Sequence, residues 1–328
     1  MSEYIISLRL GKNLKKISLI GAGNIGGTIA SMIMSKNLAN VVLIDIQQGL
    51  AKGKALDLNQ SKAVTKTAIS IRGSEDLEEI QNSDVIIVTA GIARRPGMSR
   101  DDLIETNFNI MENIGLSIKK NSPNAFVICV TNPLDAMVWT LYKTSGLDKK
   151  KIVGMAGILD TSRFKYFLSD ELNVSSEDIS TIVLGGHGDT MVPLLRFTCV
   201  NGVPIDNFVK KGIISQKKLD SIVERTRNGG GEIVGLLKNS SAYYAPAVSA
   251  LEMAESFLFN QKKLLPCSTL LEGEYGYKEL FVGVPIVIGE SGVEKIYEID
   301  FIESEKNNFD KSVSAVRELT QKCKKLLV

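Results

Sequence analysis

The chain has 328 residues, a formal net charge of +2 and 44% hydrophobic residues, which is enough for two domains of ordinary size, each with its own core. Its lysines fall in scattered pairs, such as Lys119 with Lys120, Lys210 with Lys211 and Lys217 with Lys218. These read as solvated faces and argue against nucleic acid as a partner. No apolar stretch reaches the roughly 18 to 20 residues that cross a bilayer, so no membrane span is expected.

Residues 1–14 mix Tyr4, Ile5, Ile6, Leu8 and Leu10 with Arg9 and Lys12, without a continuous apolar segment or a small-residue cleavage site. They read as a short N-terminal arm and not as a secretory signal, with a weak amphipathic organelle address as the open alternative. The four cysteines, Cys129, Cys199, Cys267 and Cys323, lie far apart with no paired metal spacing. Reduced residues of a cytoplasmic protein are expected, with neither a disulfide framework nor a metal site.

From residue 15 to 156 short apolar runs alternate with helical periods, as in a parallel sheet covered by helices on both faces. The expected strands are 16–20, 41–44, 69–72, 85–89 and 126–131, each a near-continuous apolar run suited to burial on both sides. The fold class is therefore α/β, a Rossmann-type doubly wound parallel sheet over residues 15–156. Directly after the first strand comes Gly21-Ala-Gly23-Asn24-Ile25-Gly26, then a helical pattern. Gly21 allows the tight turn, Gly23 lets the backbone approach a pyrophosphate, and Gly26 allows close helix–strand packing, with the helix N-terminus facing the anion. The second strand ends in Asp45, nineteen residues after Gly26, where a carboxylate can accept from the adenosine ribose hydroxyls. Read alone, Asp45 equally caps a strand end. In register with the glycine loop it selects NAD over NADP, because it repels a 2′-phosphate and Ile46, Gln47 and Gln48 bring no arginine to neutralise one.

After the fourth strand, residues 91–103 carry Arg94, Arg95 and Arg100 in a Gly/Pro-containing loop. That position at the carboxyl end of a strand suits a lid closing on an anion, and a solvated basic loop is the alternative. The character then changes. A helix over 161–172, apolar segments at 179–184 and 192–200, long helices around 219–237 and 247–259, hairpins between 264 and 288 and a closing amphipathic helix over 310–327 form an α+β substrate domain spanning 157–328. Asp160 and Arg163 stand three apart at the first helix start, on one face. A carboxylate can orient an imidazolium and a guanidinium fork can grip a carboxylate, although an ordinary helix-start acid beside a surface arginine fits the same spacing. The only histidine, His187, sits in Gly185-Gly186-His187-Gly188-Asp189. A lone histidine is often structural, but glycines on both sides suit a ring that meets a ligand at a domain crevice.

Several motifs in this order, G-A-G-N-I-G-G, T-A-G-I-A-R-R-P-G-M-S-R-D-D-L, V-T-N-P, G-I-L-D-T-S-R and G-G-H-G-D, make the chain resemble the lactate/malate dehydrogenases, most closely the lactate-dehydrogenase-like malate dehydrogenases, from Ile17 to about Leu326. The resemblance implies reversible hydride transfer between (S)-malate and NAD, with a lactate or other 2-hydroxyacid dehydrogenase as the nearest rival. It implies His187 as proton carrier, Asp160 as its partner, Arg163 on the C1 carboxylate and Arg100 polarising the reacting oxygen. Asn132 would contact substrate and cofactor, and Asn107 would lie near both. Arg94 occupies the loop position that is typically arginine when the substrate has a second carboxylate and typically neutral in lactate enzymes. Ala242 in S-S-A-Y-Y-A-P likewise looks like the malate version of the pocket floor. Arg95 stands where lysine is more usual, and Thr161 replaces a commoner apolar residue. The family also implies a homodimer or homotetramer acting on a small dicarboxylate. An NAD-dependent glycosidase, with its Cys/His metal site, and a non-catalytic NAD sensor fit the sequence less well.

Overall fold

A computed structural model describes residues 14–92 and 100–327. The first half alternates strand and helix. Strand β1 (Lys16–Ile20), helix α1 (Asn24–Lys36), β2 (Asn40–Ile44), α2 (Leu50–Thr65), β3 (Ile71–Ser74) and β4 (Val85–Val88) are followed by α3 (Arg100–Asn121), β5 (Phe126–Cys129), α4 (Leu134–Ser145) and β6 (Ile152–Gly154). Strands β1 to β6 pair in parallel in the order β6-β5-β4-β1-β2-β3. The chain turns outward in both directions from the β1/β4 neighbours, so the carboxyl ends of these two strands open the crevice where such sheets take ligands.

Alternate residues on each strand divide two cores. Ile17, Leu19, Val41, Leu43, Val85 and Ile87 pack with α1 and α2 on one face, whereas Val42, Ile44, Ile86, Val88 and Val127 pack with Ile104, Phe108 and Met111 of α3 on the other. This period of two, with both faces apolar, is why the strands read as continuous hydrophobic runs.

The second half begins with α5 (Gly157–Leu172), the short strands β7 (Ile179–Ser180), β8 (Val183–Leu184), β9 (Val192–Pro193), β10 (Cys199–Val200) and β11 (Val203–Pro204), and α6 (Ile205–Lys210). Helices α7 (Gln216–Leu237) and α8 (Tyr244–Leu258), strands β12 (Lys263–Glu272), β13 (Lys278–Gly289) and β14 (Gly292–Ile296), and α9 (Glu303–Leu326) complete it. Strands β12 to β14 form an antiparallel meander that joins the parallel sheet at β6 through Ser268 opposite Gly154, giving one nine-stranded sheet among the described residues. The two halves are therefore tied by a shared sheet as well as by packing. No described helix is long and apolar enough to cross a membrane, and all four cysteines are free thiols, with Cys129, Cys267 and Cys323 buried.

Several boundaries differ from the sequence expectation, three of them for clear physical reasons. The third strand lies at 71–74 and not 69–72, since Ile71 pairs with Val41 and the strand runs on through Gly73, where a side chain would meet the Ala51 carbonyl oxygen at 2.2 Å. Helix α5 starts at Gly157, four residues earlier than expected. A Cβ there would lie 2.4 Å from the Val183 carbonyl oxygen, so packing forces a poor helix former into the first turn. Helix α9 starts at Glu303 and not 310, because its first turns are polar and the apolar face begins only at Phe309.

Candidate active site

The glycine loop joins β1 to α1 as the sequence suggests. Gly21 has φ +108°, and a side chain on it would strike Thr89 at 2.6 Å; one on Gly26 would lie 1.9 Å from the Gly21 carbonyl oxygen. Gly23 differs from both, because its Cβ position faces open space, which leaves the backbone bare where a pyrophosphate would lie against the start of α1. Asp45 binds this loop as well as ending its strand: Oδ2 accepts from Ala22 N–H at 2.7 Å and Oδ1 from Gln47 N–H at 2.9 Å. Each oxygen keeps a lone pair for a ribose hydroxyl. Asn24 reaches out of the loop to donate to Ser240 Oγ at 3.1 Å, next to Ser241 and Ala242. These residues fit a dinucleotide.

Helix α5 carries Asp160 and Arg163, and the loop between β8 and β9 carries His187. The packing brings them together. His187 Nδ1 lies 2.8 Å from Asp160 Oδ2, with Asp160 almost wholly buried. Burial opposes protonation of the imidazole, but the charge of Asp160 and its hydrogen bond outweigh that penalty. Arg163 then opposes them, Asp135 adds to them, and the pKa is raised above the ordinary histidine value. Arg163 Nη1 approaches Asp160 Oδ1 only at 3.4 Å, and its buried Nε has no hydrogen-bond partner among the described residues. An unpaired buried donor costs roughly 1–3 kcal/mol, so this guanidinium is set to receive an anion. Burial pushes its pKa down while Asp160 opposes the shift.

A cavity of about 400 Å³ collects these groups, lined among others by Ile25, Asn132, Arg163, His187, Gly230 and Ala242. The cofactor loop thus meets the histidine at one opening, through Ile25. Asn107 is fully buried, and its amide is committed to backbone: it donates to the carbonyls of Asn132 at 2.8 Å and Ile92 at 3.1 Å and accepts from Ile92 N–H at 2.9 Å. It joins the end of β4's loop to the V-T-N-P segment, and Thr131 adds a bond to the Ala90 carbonyl at 2.6 Å. Arg94 and Arg95 lie outside the described residues, as does the side chain of Arg100.

The two glycines before His187 do different work from that expected, whereas a side chain on Gly188, after it, would meet open space. Gly185 has φ +87° and pairs with Gly283, while a side chain on Gly186 would come 2.5 Å from Val316, so both serve packing behind the loop more than clearance around the ring. Clearance for Arg163 comes from α7, which the sequence reading missed. A Cβ on Gly229 would sit 3.2 Å from Arg163 Cδ and one on Gly230 3.7 Å from its Nη2. Three successive glycines, Gly229 to Gly231, inside a helical pattern were the available signal, since each costs about 1 kcal/mol relative to alanine without a packing reason. Arg227, also unforeseen, lines the cavity and donates to the Met191 carbonyl at 3.2 Å, binding α7 to the histidine loop.

Residues 15–154 match the family model of the lactate/malate dehydrogenase NAD binding domain, and residues 158–327 that of the lactate/malate dehydrogenase alpha/beta C-terminal domain. Among solved structures, Cryptosporidium parvum malate dehydrogenase is 46% identical with a TM-score of 0.93, over 95% of this chain and 100% of that one. Plasmodium falciparum malate dehydrogenase is 42% identical with a TM-score of 0.92, over 96% and 100%. Eimeria maxima lactate dehydrogenase, solved with NADH and oxamate, is 43% identical with a TM-score of 0.92, over 94% of each chain. NAD is the cofactor of this oxidoreductase. With both halves matched and the glycine loop, Asp160, Arg163 and His187 in place around one crevice, the chain belongs to the lactate/malate dehydrogenase family.

Proposed function

We propose that the protein is an NAD-dependent malate dehydrogenase, interconverting (S)-malate and NAD+ with oxaloacetate, NADH and a proton. The observation that carries the chemistry is the meeting of His187, held from behind by Asp160, with Arg163 and Ile25 of the cofactor loop at one cavity. When bound, NAD supplies the two-electron partner, taking up or returning the hydride at the carbon that bears the oxygen. His187 removes the hydroxyl proton in oxidation and returns it in reduction. Asp160 occupies Nδ1, so Nε2 is the ring nitrogen that faces this task, and the negative charge of Asp160 stabilises the imidazolium. Arg163, whose buried Nε is unpaired, takes the C1 carboxylate. Arg100 is assigned to the developing charge on oxygen, and Arg94 to the second carboxylate. The small Ala242 in the cavity lining supports the same substrate.

The reading of malate over lactate rests on Arg94 and Ala242, and an assay of NADH oxidation against oxaloacetate, pyruvate and longer 2-oxoacids tests it. Oxaloacetate should lead in kcat/KM by at least about tenfold; a lead for pyruvate sinks the assignment. We also propose a homo-oligomer, dimer or tetramer, in the cytoplasm. Exposed apolar residues on the long helices, Leu236, Tyr244 and Val248, support the oligomer, and sedimentation as a monomer at micromolar concentration would contradict it.

A further inference from the structure

Asp135 is a buried carboxylate with no part in the chemistry assigned above. It lies in the first turn of α4, 4% exposed, and its two oxygens serve two different elements. Oδ1 accepts from Ser268 Oγ at 2.6 Å, and Oδ2 accepts from the peptide N–H of His187 at 2.9 Å. Packing holds both donors. Ser268 is fully buried on β12 opposite Gly154, where a side chain would come within 3.0 Å of the serine Cβ. The histidine loop is gripped from α9 as well, since Gly186 N–H donates to Ser312 Oγ at 2.9 Å. A side chain at Gly186 would also lie 3.4 Å from Asp135 Oδ2. Helices α4 and α9 and strand β12 thus converge, directly or through one side chain, on two adjacent peptides.

We propose that Asp135 is a positioning residue for the proton-carrying histidine, holding the peptide of His187 while Asp160 holds the ring, and that its charge completes a cluster that is neutral only when the imidazole is protonated. This inference rests on the reading of His187 as the proton carrier. Among the described residues, the charges that act on the imidazole are few. From α5 come Asp160 and Arg163, from α4 Asp135, and from the loop His187; β12 and α9 present the hydroxyls of Ser268 and Ser312. The nearby Cys129 thiol of β5 is pushed up to about 12 by burial and stays uncharged. Two carboxylates and one guanidinium leave one net negative charge, which the imidazolium cancels. With Asp135 neutral, that same imidazolium would be an uncompensated buried cation. Burial holds the Asp135 carboxyl above the usual carboxylate value and the charge of Asp160 adds to the rise, while Ser268, the His187 peptide and the His187 charge oppose it, so its ionised form depends on these donors.

The test uses the NADH-loaded enzyme and the variants Asp135→Asn and Ser268→Ala, with kcat/KM for oxoacid reduction measured against pH alongside the NADH Kd and Tm. Reduction needs the imidazolium, so activity falls as pH rises through the histidine pKa. Asp135→Asn should move that fall to lower pH by about half a pH unit or more with NADH affinity changed by less than about threefold. Ser268→Ala, which removes one donor from the carboxylate, should move it the same way by less. If both variants lower rate or Tm and leave the fall in place, Asp135 is a packing residue and the inference is overturned. Should Asp135→Asn fail to fold, an unmoved profile in Ser268→Ala overturns it alone. A wild-type enzyme without this fall, or full turnover in His187→Asn, would instead strike the reading of His187.

Discussion

His187 Nδ1 and Asp160 Oδ2 stand 2.8 Å apart, with the carboxylate almost completely buried and the imidazole at the cavity wall. A carboxylate so placed fixes the tautomer, the ring orientation and the charge of its partner at once. Asp160→Asn should therefore lower kcat by roughly 10²–10⁴-fold. It should also bring the high-pH loss of oxoacid reduction to lower pH. The sign follows from the raised pKa of His187: the imidazolium is held below that value and lost above it, and removing the attraction of Asp160 lowers the value. A pH profile that does not move would separate this carboxylate from proton transfer.

His187 is the only histidine in the chain, so no second imidazole can substitute for it. His187→Asn should reduce turnover by roughly 10²–10⁴-fold while NADH binding, followed by fluorescence titration, survives. Turnover near wild type would remove the residue from the mechanism.

Asp45 has two jobs, and its replacement should show both. Asp45→Ser should narrow the preference of NADH over NADPH in kcat/KM, because a repulsive charge disappears without any new contact to a phosphate. Loss of bonds to Ala22 and Gln47 should also cost about 1–2 kcal/mol of stability, read by denaturant unfolding. An unchanged cofactor ratio would leave Asp45 with the backbone role alone.

On α7, helix propensity and function should pull in opposite directions. Gly229→Ala gains up to about 1 kcal/mol of helix propensity, yet its methyl group would press on Arg163 Cδ at 3.2 Å. The expected result is a KM for the oxoacid raised several-fold, an unchanged NADH Kd and a Tm that does not fall. A KM equal to that of the wild type would show that Arg163 needs no such clearance.

Much of this was legible in the chain because the signals were local. The glycine loop and Asp45 sit within one βαβ unit, where strand, turn and helix periods fix their geometry. Asp160 and Arg163 share a helix face whatever the exact first residue, so the early start at Gly157 did not displace them. What could not be read were meetings across long separations. Asp135 lies 52 residues from His187 and 133 from Ser268, and in V-T-N-P-L-D it looks like an ordinary acid at a helix start. Gly185 and Gly186 were visible as glycines, but their reason is α9, more than a hundred residues away. The continuous sheet through β6 and β12 was hidden for the same cause, since a single pair, Ser268 with Gly154, makes the join.

Arg94→Gln is the substitution that bears most directly on the substrate. A second carboxylate must be desolvated in the closed site, and a guanidinium fork offsets that cost with two charge-assisted hydrogen bonds, which glutamine cannot supply. The quantity to measure is kcat/KM for oxaloacetate divided by that for pyruvate, in wild type and variant, at matched pH and NADH. Wild type should favour oxaloacetate, and Arg94→Gln should cost roughly 2–5 kcal/mol for that substrate, or roughly 30- to 5,000-fold. Pyruvate should improve, because its methyl group offers a guanidinium no partner. A ratio that favours pyruvate in wild type, or that moves by less than about tenfold in the variant, roughly 1.4 kcal/mol, would contradict the reading of Arg94 as the residue that recognises the second carboxylate and of this enzyme as a malate dehydrogenase.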